Sequence, residues 1–197
     1  RRMDRFVSAF EQGTLKEKDT QILGDTPLIL QYLGAPNHQL QIDGQTIHKI
    51  AGEKHRHTMS SEDLRLLSTG IYDPLMVFDS PDTRTGAPGK LMVTGGTDRL
   101  GNPVVALIHI GKRSGRLVIN DVASAYGLED FENRLKVNPT KLQYVRNKKG
   151  LAASTTPNLR KLAGVVQKAE GLGVTLCTKD DVVKHYQTRY PQVAPTP

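Results

Sequence analysis

The chain has 197 residues, a net charge of +7, 37% hydrophobic and 5% aromatic residues, and no Trp. That length fits one compact unit with an aliphatic core. The lone Cys177 rules out an internal disulfide, and no apolar run approaches the roughly 20 residues that a membrane-crossing helix needs.

The N-terminal third reads as short, punctuated helices. Met3, Phe6, Val7 and Phe10 fall on one helical face ahead of Gly13, and Thr26-Pro27 opens a second helix, with Thr26 as cap, that closes at Gly34. Asp43 or Gly44 starts a third helix, striped by Ile47, Ile50 and Ala51. Ser60 and Asp63 form a capping box for a fourth, from Ser61 to Leu67. Four β-rich runs follow, at Leu75–Phe78, Lys90–Thr94, Pro103–Ile110 and Arg116–Ile119, each bounded by Gly, Pro, Asn or Asp. They predict an antiparallel meander that runs into a polar turn over Asp121–Gly127. Beyond it the pattern predicts a helix at Phe131–Val137, a strand at Lys141–Val145 and an exposed turn at Arg146–Gly150. A helix at Leu159–Ala169, a strand at Val174–Cys177, a helix at Lys179–Tyr190 and a tail complete the chain. This is an α+β pattern with segregated helices. It divides into a helical lead-in (1–70), a sheet core (71–150) and a helix-strand-helix extension (151–197).

The positive charge is not evenly spread. Residues 1–98 hold 11 Lys and Arg against 13 Asp and Glu, whereas residues 99–197 hold 16 against 7, and nine bases without an acid lie between Arg134 and Lys168. A cationic surface of that kind raises the local concentration of a polyanion and releases its counterions. Nucleic acid is therefore the leading partner class; no basic amphipathic helix with exposed aromatics points to a membrane. Arg134, Lys136, Lys141, Arg146, Lys148 and Lys149 are the candidate RNA-binding cations, with Tyr144 as a stacking surface.

Histidine is the side chain whose ordinary pKa suits proton transfer near neutrality. His48, His55 and His57 cluster at a predicted helix end, where cations also complement the helix dipole. Lys54 beside His55 places fixed positive charge next to an imidazole, which phosphodiester cleavage requires. His109 lies in an otherwise apolar strand, which reads first as a half-buried structural position and second as an accessory group. A zinc site fails on inventory, since the single Cys is remote and no His-Glu-x-x-His occurs. Phosphate-loop and Gly-x-Ser-x-Gly motifs are also missing, so no metal and no cofactor is expected.

Taken in order, Asp73–Phe78, Gly101–Leu107, Val122-Ala-Ser-Ala-Tyr-Gly127 and Leu142–Val145 resemble the C-terminal domain attached to phage MuF head-morphogenesis proteins and to bacterial polymorphic toxins. Gly24–Pro27, Leu33–Pro36 and the Lys54-His55 pair are similar to the same family's helical lead-in. The resemblance runs over about residues 15–150, with Arg56 and His57 standing where the family has a small residue. It implies N-terminal helices packed on a four- to five-stranded antiparallel sheet of the barnase, EndoU, colicin and RelE type. It also implies a toxin acting on RNA, with Lys54, His55, Ser124 and Tyr126 in the catalytic site; His57 and His109 are the accessory candidates that the sequence adds beside the resemblance.

On that reading the protein is a metal-independent endoribonuclease that attacks a folded RNA such as tRNA, needs no cofactor and is covered by an acidic immunity protein in the producing cell. The chain opens on Arg1-Arg2 rather than Met, which reads as a piece of a longer secreted or injected protein acting in a target-cell cytoplasm. Two alternatives stay open: a noncatalytic nucleic-acid-binding module of a phage or secreted protein, and an ADP-ribosyltransferase toxin, for which Ser154-Thr155-Thr156 and Glu170 are a loose match.

Overall fold

The computed structural model describes residues 2–52, 59–128, 138–155 and 157–189. Among them the chain runs α1 (Asp4–Glu11), β1 (Thr20–Asp25), α2 (Leu28–Tyr32), β2 (Gln39–Asp43), α3 (Gly44–Ala51), α4 (Ser61–Tyr72), β3 (Met76–Asp79) and β4 (Gly89–Thr97). It continues with β5 (Pro103–Ser114), β6 (Leu117–Gly127), β7 (Leu142–Val145), α5 (Lys148–Ala152), α6 (Pro157–Gly171), β8 (Cys177–Thr178) and α7 (Lys179–Arg189). The predicted helix at Phe131–Val137 lies outside the described residues, as does the tail.

The α+β class holds, but the sheet is larger than expected and is mixed. Eight strands lie in the order β1-β2-β6-β5-β4-β3-β7-β8. The β2–β6 and β7–β8 pairs are parallel; all the others are antiparallel. The stretch 1–70 is not purely helical, because it supplies β1 and β2. Asp121–Gly127 is not a turn: it is the C-terminal half of β6, paired with β5 along its length and with β2 only at Asp121. Arg146–Gly150 is no simple turn either, since α5 begins within it.

Each face of the sheet has its own core. Phe6 and Val7 of α1, Ile29 and Leu30 of α2, Ile47 and Ile50 of α3, Leu64, Leu67 and Ile71 of α4, and Val182 of α7 pack on one face. There they meet Val77, Met92, Ala106, Ile108, Val122 and Ala125 of the strands. Leu151 of α5 and Leu162, Val165, Val166 and Ala169 of α6 cover the other face over Met76, Phe78, Leu91, Val93, Val105 and Val145. The C-terminal extension is thus an integral layer, and its strand β8 lengthens the sheet at β7.

Caps set the helix starts. Asp43 accepts from Thr46 N at 2.8 Å to open α3, and Ser60 and Asp63 form the expected reciprocal box on α4. Thr26 does not cap α2, which Pro27 opens; its hydroxyl instead donates to His38 O. Losing a cap of this type costs about 1 kcal/mol. Asp43→Ala is accordingly expected to lower the unfolding free energy by about that amount in urea titration, with the m-value unchanged.

Candidate functional site

The register of β5 against β6 decides which side chains meet. Ala106 faces Ala125 and Ile108 faces Val122, all within the core under the N-terminal helices. Val105 pairs with Tyr126, Leu107 with Ser124 and His109 with Asp121, on the opposite face. A register shift between Leu107 and Ile108 leaves Ala123 as the extra residue on β6. Plain alternation would have turned Asp121 and Ser124 to opposite sides, so this bulge is what puts both on one face. A second shift, between His109 and Lys112, does the same on β5 and brings Lys112 Nζ to 2.9 Å from Asp121 Oδ2.

His109, Ser124 and Tyr126 are part-exposed, and their side chains make no hydrogen bond to any described residue. Tyr126 rests against the core beneath α6, where burial pushes its phenol upward, so it stays a neutral donor at ordinary pH. Asp121 is 3% exposed and is held as a carboxylate partner by Lys112. The Gly of the Tyr126-Gly127 pair has a packing cause. A Cβ at 127 would run into the Asp98 carboxylate, which Leu100 N, Asn102 N and Asn102 Nδ2 hold at 2.8, 2.9 and 3.2 Å.

Lys54, His55 and His57 lie outside the described residues. Gly52, which precedes the segment, ends α3, and Met59, which follows it, packs in the core under the N-terminal helices. Met59 also lines a cleft of about 300 Å³ between α4 and the end of β4, with Leu66, Thr97 and Arg146 at its walls. Ser124 and Tyr126 project from the other face. Among the described residues, the histidine on their face is His109, two positions along β5 from Leu107, the partner of Ser124, and four from Val105, the partner of Tyr126.

The expected RNA-binding cations divide. Arg134 and Lys136 lie outside the described residues, and Lys141 is exposed in a short turn before β7. Arg146, Lys148 and Lys149 line one cleft of about 500 Å³ together with Thr178, Lys179 and Asp180. Lys179 was not legible as a member, because it arrives from the far end of the chain. Much of this charge is already paired. Asp73 takes both Arg146, at 3.4 Å, and Lys179, at 3.2 Å, while Lys148 lies 3.4 Å from Glu170.

Tyr144 is not a stacking surface. It is 0% exposed, packed on the helical side of β7 with Val77 and Met92, and has no face to offer a base. Its hydroxyl is buried without a partner, and burial pushes the phenol upward. An orphaned buried polar group costs about 1–3 kcal/mol. Tyr144→Phe is therefore expected to raise the unfolding free energy by about 1 kcal/mol in a denaturant titration, rather than lower it.

Among the described residues no group of three or more His, Cys, Asp and Glu could hold a metal ion, and no helix is long and apolar enough to cross a membrane. No curated protein and no solved structure matches the chain. The family model described as the phage MuF-C-terminal domain matches residues 48–151. That span begins in α3, takes in β3 to β7 and so includes the whole His109–Ser124–Tyr126 face. The chain belongs to the phage MuF-C-terminal domain family.

Proposed function

We propose that this domain is a metal-independent endoribonuclease of the toxin type, with a barnase- or EndoU-like arrangement of helices on a sheet, and that the face shared by His109, Ser124 and Tyr126 is where RNA is cut. The observation that carries the reading is that an imidazole, a hydroxyl and a phenol with no side-chain partner among the described residues lie along one face of two adjacent strands.

In this reaction the RNA's own 2′-oxygen attacks the neighbouring phosphorus and the 5′-oxygen leaves. One group removes the 2′ proton and another returns a proton to the leaving oxygen. His109 takes one of these roles. The Lys54-His55 pair is assigned no step at this face, because Met59, which follows it, packs on the opposite side of the sheet. Ser124 and Tyr126 donate hydrogen bonds that orient the phosphate. Asp121 and Lys112 form a fixed ion pair at the end of the face. The cleft of Arg146, Lys148, Lys149 and Lys179 lies toward the α7 edge and would hold a distant part of the RNA, and an acidic immunity protein would mask these cations.

The test is to incubate the purified domain with total tRNA in EDTA and analyse the new ends. Fragments ending in 2′,3′-cyclic phosphate support the reading. A gel shift of intact tRNA would leave only a noncatalytic binding module, and transfer of label from NAD would indicate an ADP-ribosyltransferase.

A further inference from the structure

The hairpin joining β5 to β6 outruns the rest of the sheet. The last β4 partner of β5 is Gly89, opposite His109, and Ile110 N still reaches Pro88 O at 3.0 Å. On the other side, the β2 pairing with β6 stops at Leu40 and Asn120. Past these points Lys112 pairs with Ile119, Arg113 with Val118 and Ser114 with Leu117. No other described strand joins them. A lone two-stranded ribbon is only marginally stable in water, so this one depends on how its base is built.

That base is rigid. Gly111 adopts φ +71° at the bulge, and its N–H donates to Asn120 Oδ1 at 2.9 Å. Asn120 is 0% exposed, and its amide nitrogen donates to Thr26 Oγ1 at 2.6 Å and Pro36 O at 3.0 Å. One fully satisfied buried amide thus ties the bulge to the loops before and after α2 and fixes the angle at which the ribbon leaves the sheet.

The charge of the ribbon has one sign. From Arg99 to Asn120 the sequence holds four bases and no acid. Lys112 is spent on Asp121. Arg113 and Arg116 are exposed and have no ion-pair or hydrogen-bond partner among the described residues. By contrast, three of the four cations in the Arg146 cleft are already paired.

We infer that this ribbon is an arm that grips the sugar-phosphate backbone of a nucleic-acid strand, with Arg113 and Arg116 as the phosphate contacts. The grip does not rest on the ribonuclease reading. Lys112 shares the face of Asp121, so Arg113, the next residue, leaves from the face of the ribbon opposite to His109, and Arg116 sits in the turn at its tip. The exposed apolar residues at the tip, Leu117 and Val118, argue against a membrane. As neighbours on one strand they point to opposite faces of the ribbon, so no single apolar surface exists to enter a bilayer.

The test uses the whole chain and a labelled single-stranded 2′-O-methyl RNA, which cannot be cut because its attacking oxygen is blocked. Affinity is measured by fluorescence anisotropy at salt from about 50 to about 200 mM. Arg113→Gln/Arg116→Gln is expected to bind at least about tenfold more weakly at the low-salt end and to flatten the log–log salt slope by about 1.4, at ~0.7 per lost phosphate contact. Unchanged melting temperature shows that the fold is intact. Wild-type affinity and slope in the double variant would overturn the arm. So would a wild-type chain that ignores the RNA but sediments with phosphatidylserine vesicles through the same two arginines. Arginine-dependent binding of the blocked strand, with no cleavage of tRNA, would support the arm and defeat the ribonuclease reading.

Discussion

His109→Ala is expected to slow tRNA cleavage by about 10²–10⁴-fold, the usual contribution of one well-placed proton-transfer group. The loss should fall on kcat with KM changed little, because an imidazole that moves a proton acts in the transition state rather than in binding. Stability should be almost untouched, since the His109 side chain is part-exposed and makes no hydrogen bond to the described residues. Ser124→Ala removes a single orienting donor from the neighbouring pair and should cost less. Single-turnover kinetics on a labelled tRNA, with thermal melts of each variant, measures both effects.

Asn120→Ala is expected to be the most damaging substitution for the fold. It deletes the donors to Thr26 Oγ1 and Pro36 O and the acceptor for Gly111 N, all at a position with no solvent exposure. Thr26 keeps its bond to His38 O, but Pro36 O and Gly111 N lose a buried partner. At about 1 kcal/mol for each of the three hydrogen bonds lost, the cost is about 3 kcal/mol. For a chain of this size that lowers the melting temperature by about 6–12 °C. Calorimetry reads the shift, and a fall of only a degree or two would show that the amide is not the anchor described above.

The helices were legible because their signals are local. Asp43 before α3 and the Ser60–Asp63 box before α4 are capping chemistry that needs no tertiary partner. The two missed strands differ in kind. β2, Gln39-Leu-Gln-Ile-Asp43, carries a plain alternation, and Leu40 and Ile42 are both fully buried, so a stricter search for period two would have found it. β1 has little but Ile22 and Leu23 to mark it and owes its conformation to pairing with β2. The second half of β6 misled for a related reason. Ala123-Ser124-Ala125 and Gly127 have weak β-propensity, and the strand forms there because β5 pairs with it.

The candidate site was half legible. Ser124 and Tyr126 stand out as a motif, but in a segment whose composition reads as a turn; only as part of β6 does their spacing of two put them on one face. His109 was visible, but read as a structural position, because the parity of a single strand does not say which face of the sheet the helices leave less covered. Asp121 joins the face only through a one-residue bulge, and bulges are set by pairing rather than by the bulged strand alone. Lys179 enters the cationic cleft from a segment beyond the family match, a contact between distant parts of the chain that one sequence does not encode locally.

The account turns on whether RNA sits on the β5–β6 face. Backbone amide resonances of the wild-type chain, followed by NMR while an uncleavable 2′-O-methyl oligonucleotide is added, test this directly. Shifts concentrated at Leu107, His109, Ser124 and Tyr126 are the predicted result. Saturable binding that leaves those four residues unmoved, and instead shifts Leu66, Thr97 and their neighbours on the helical side, would contradict it.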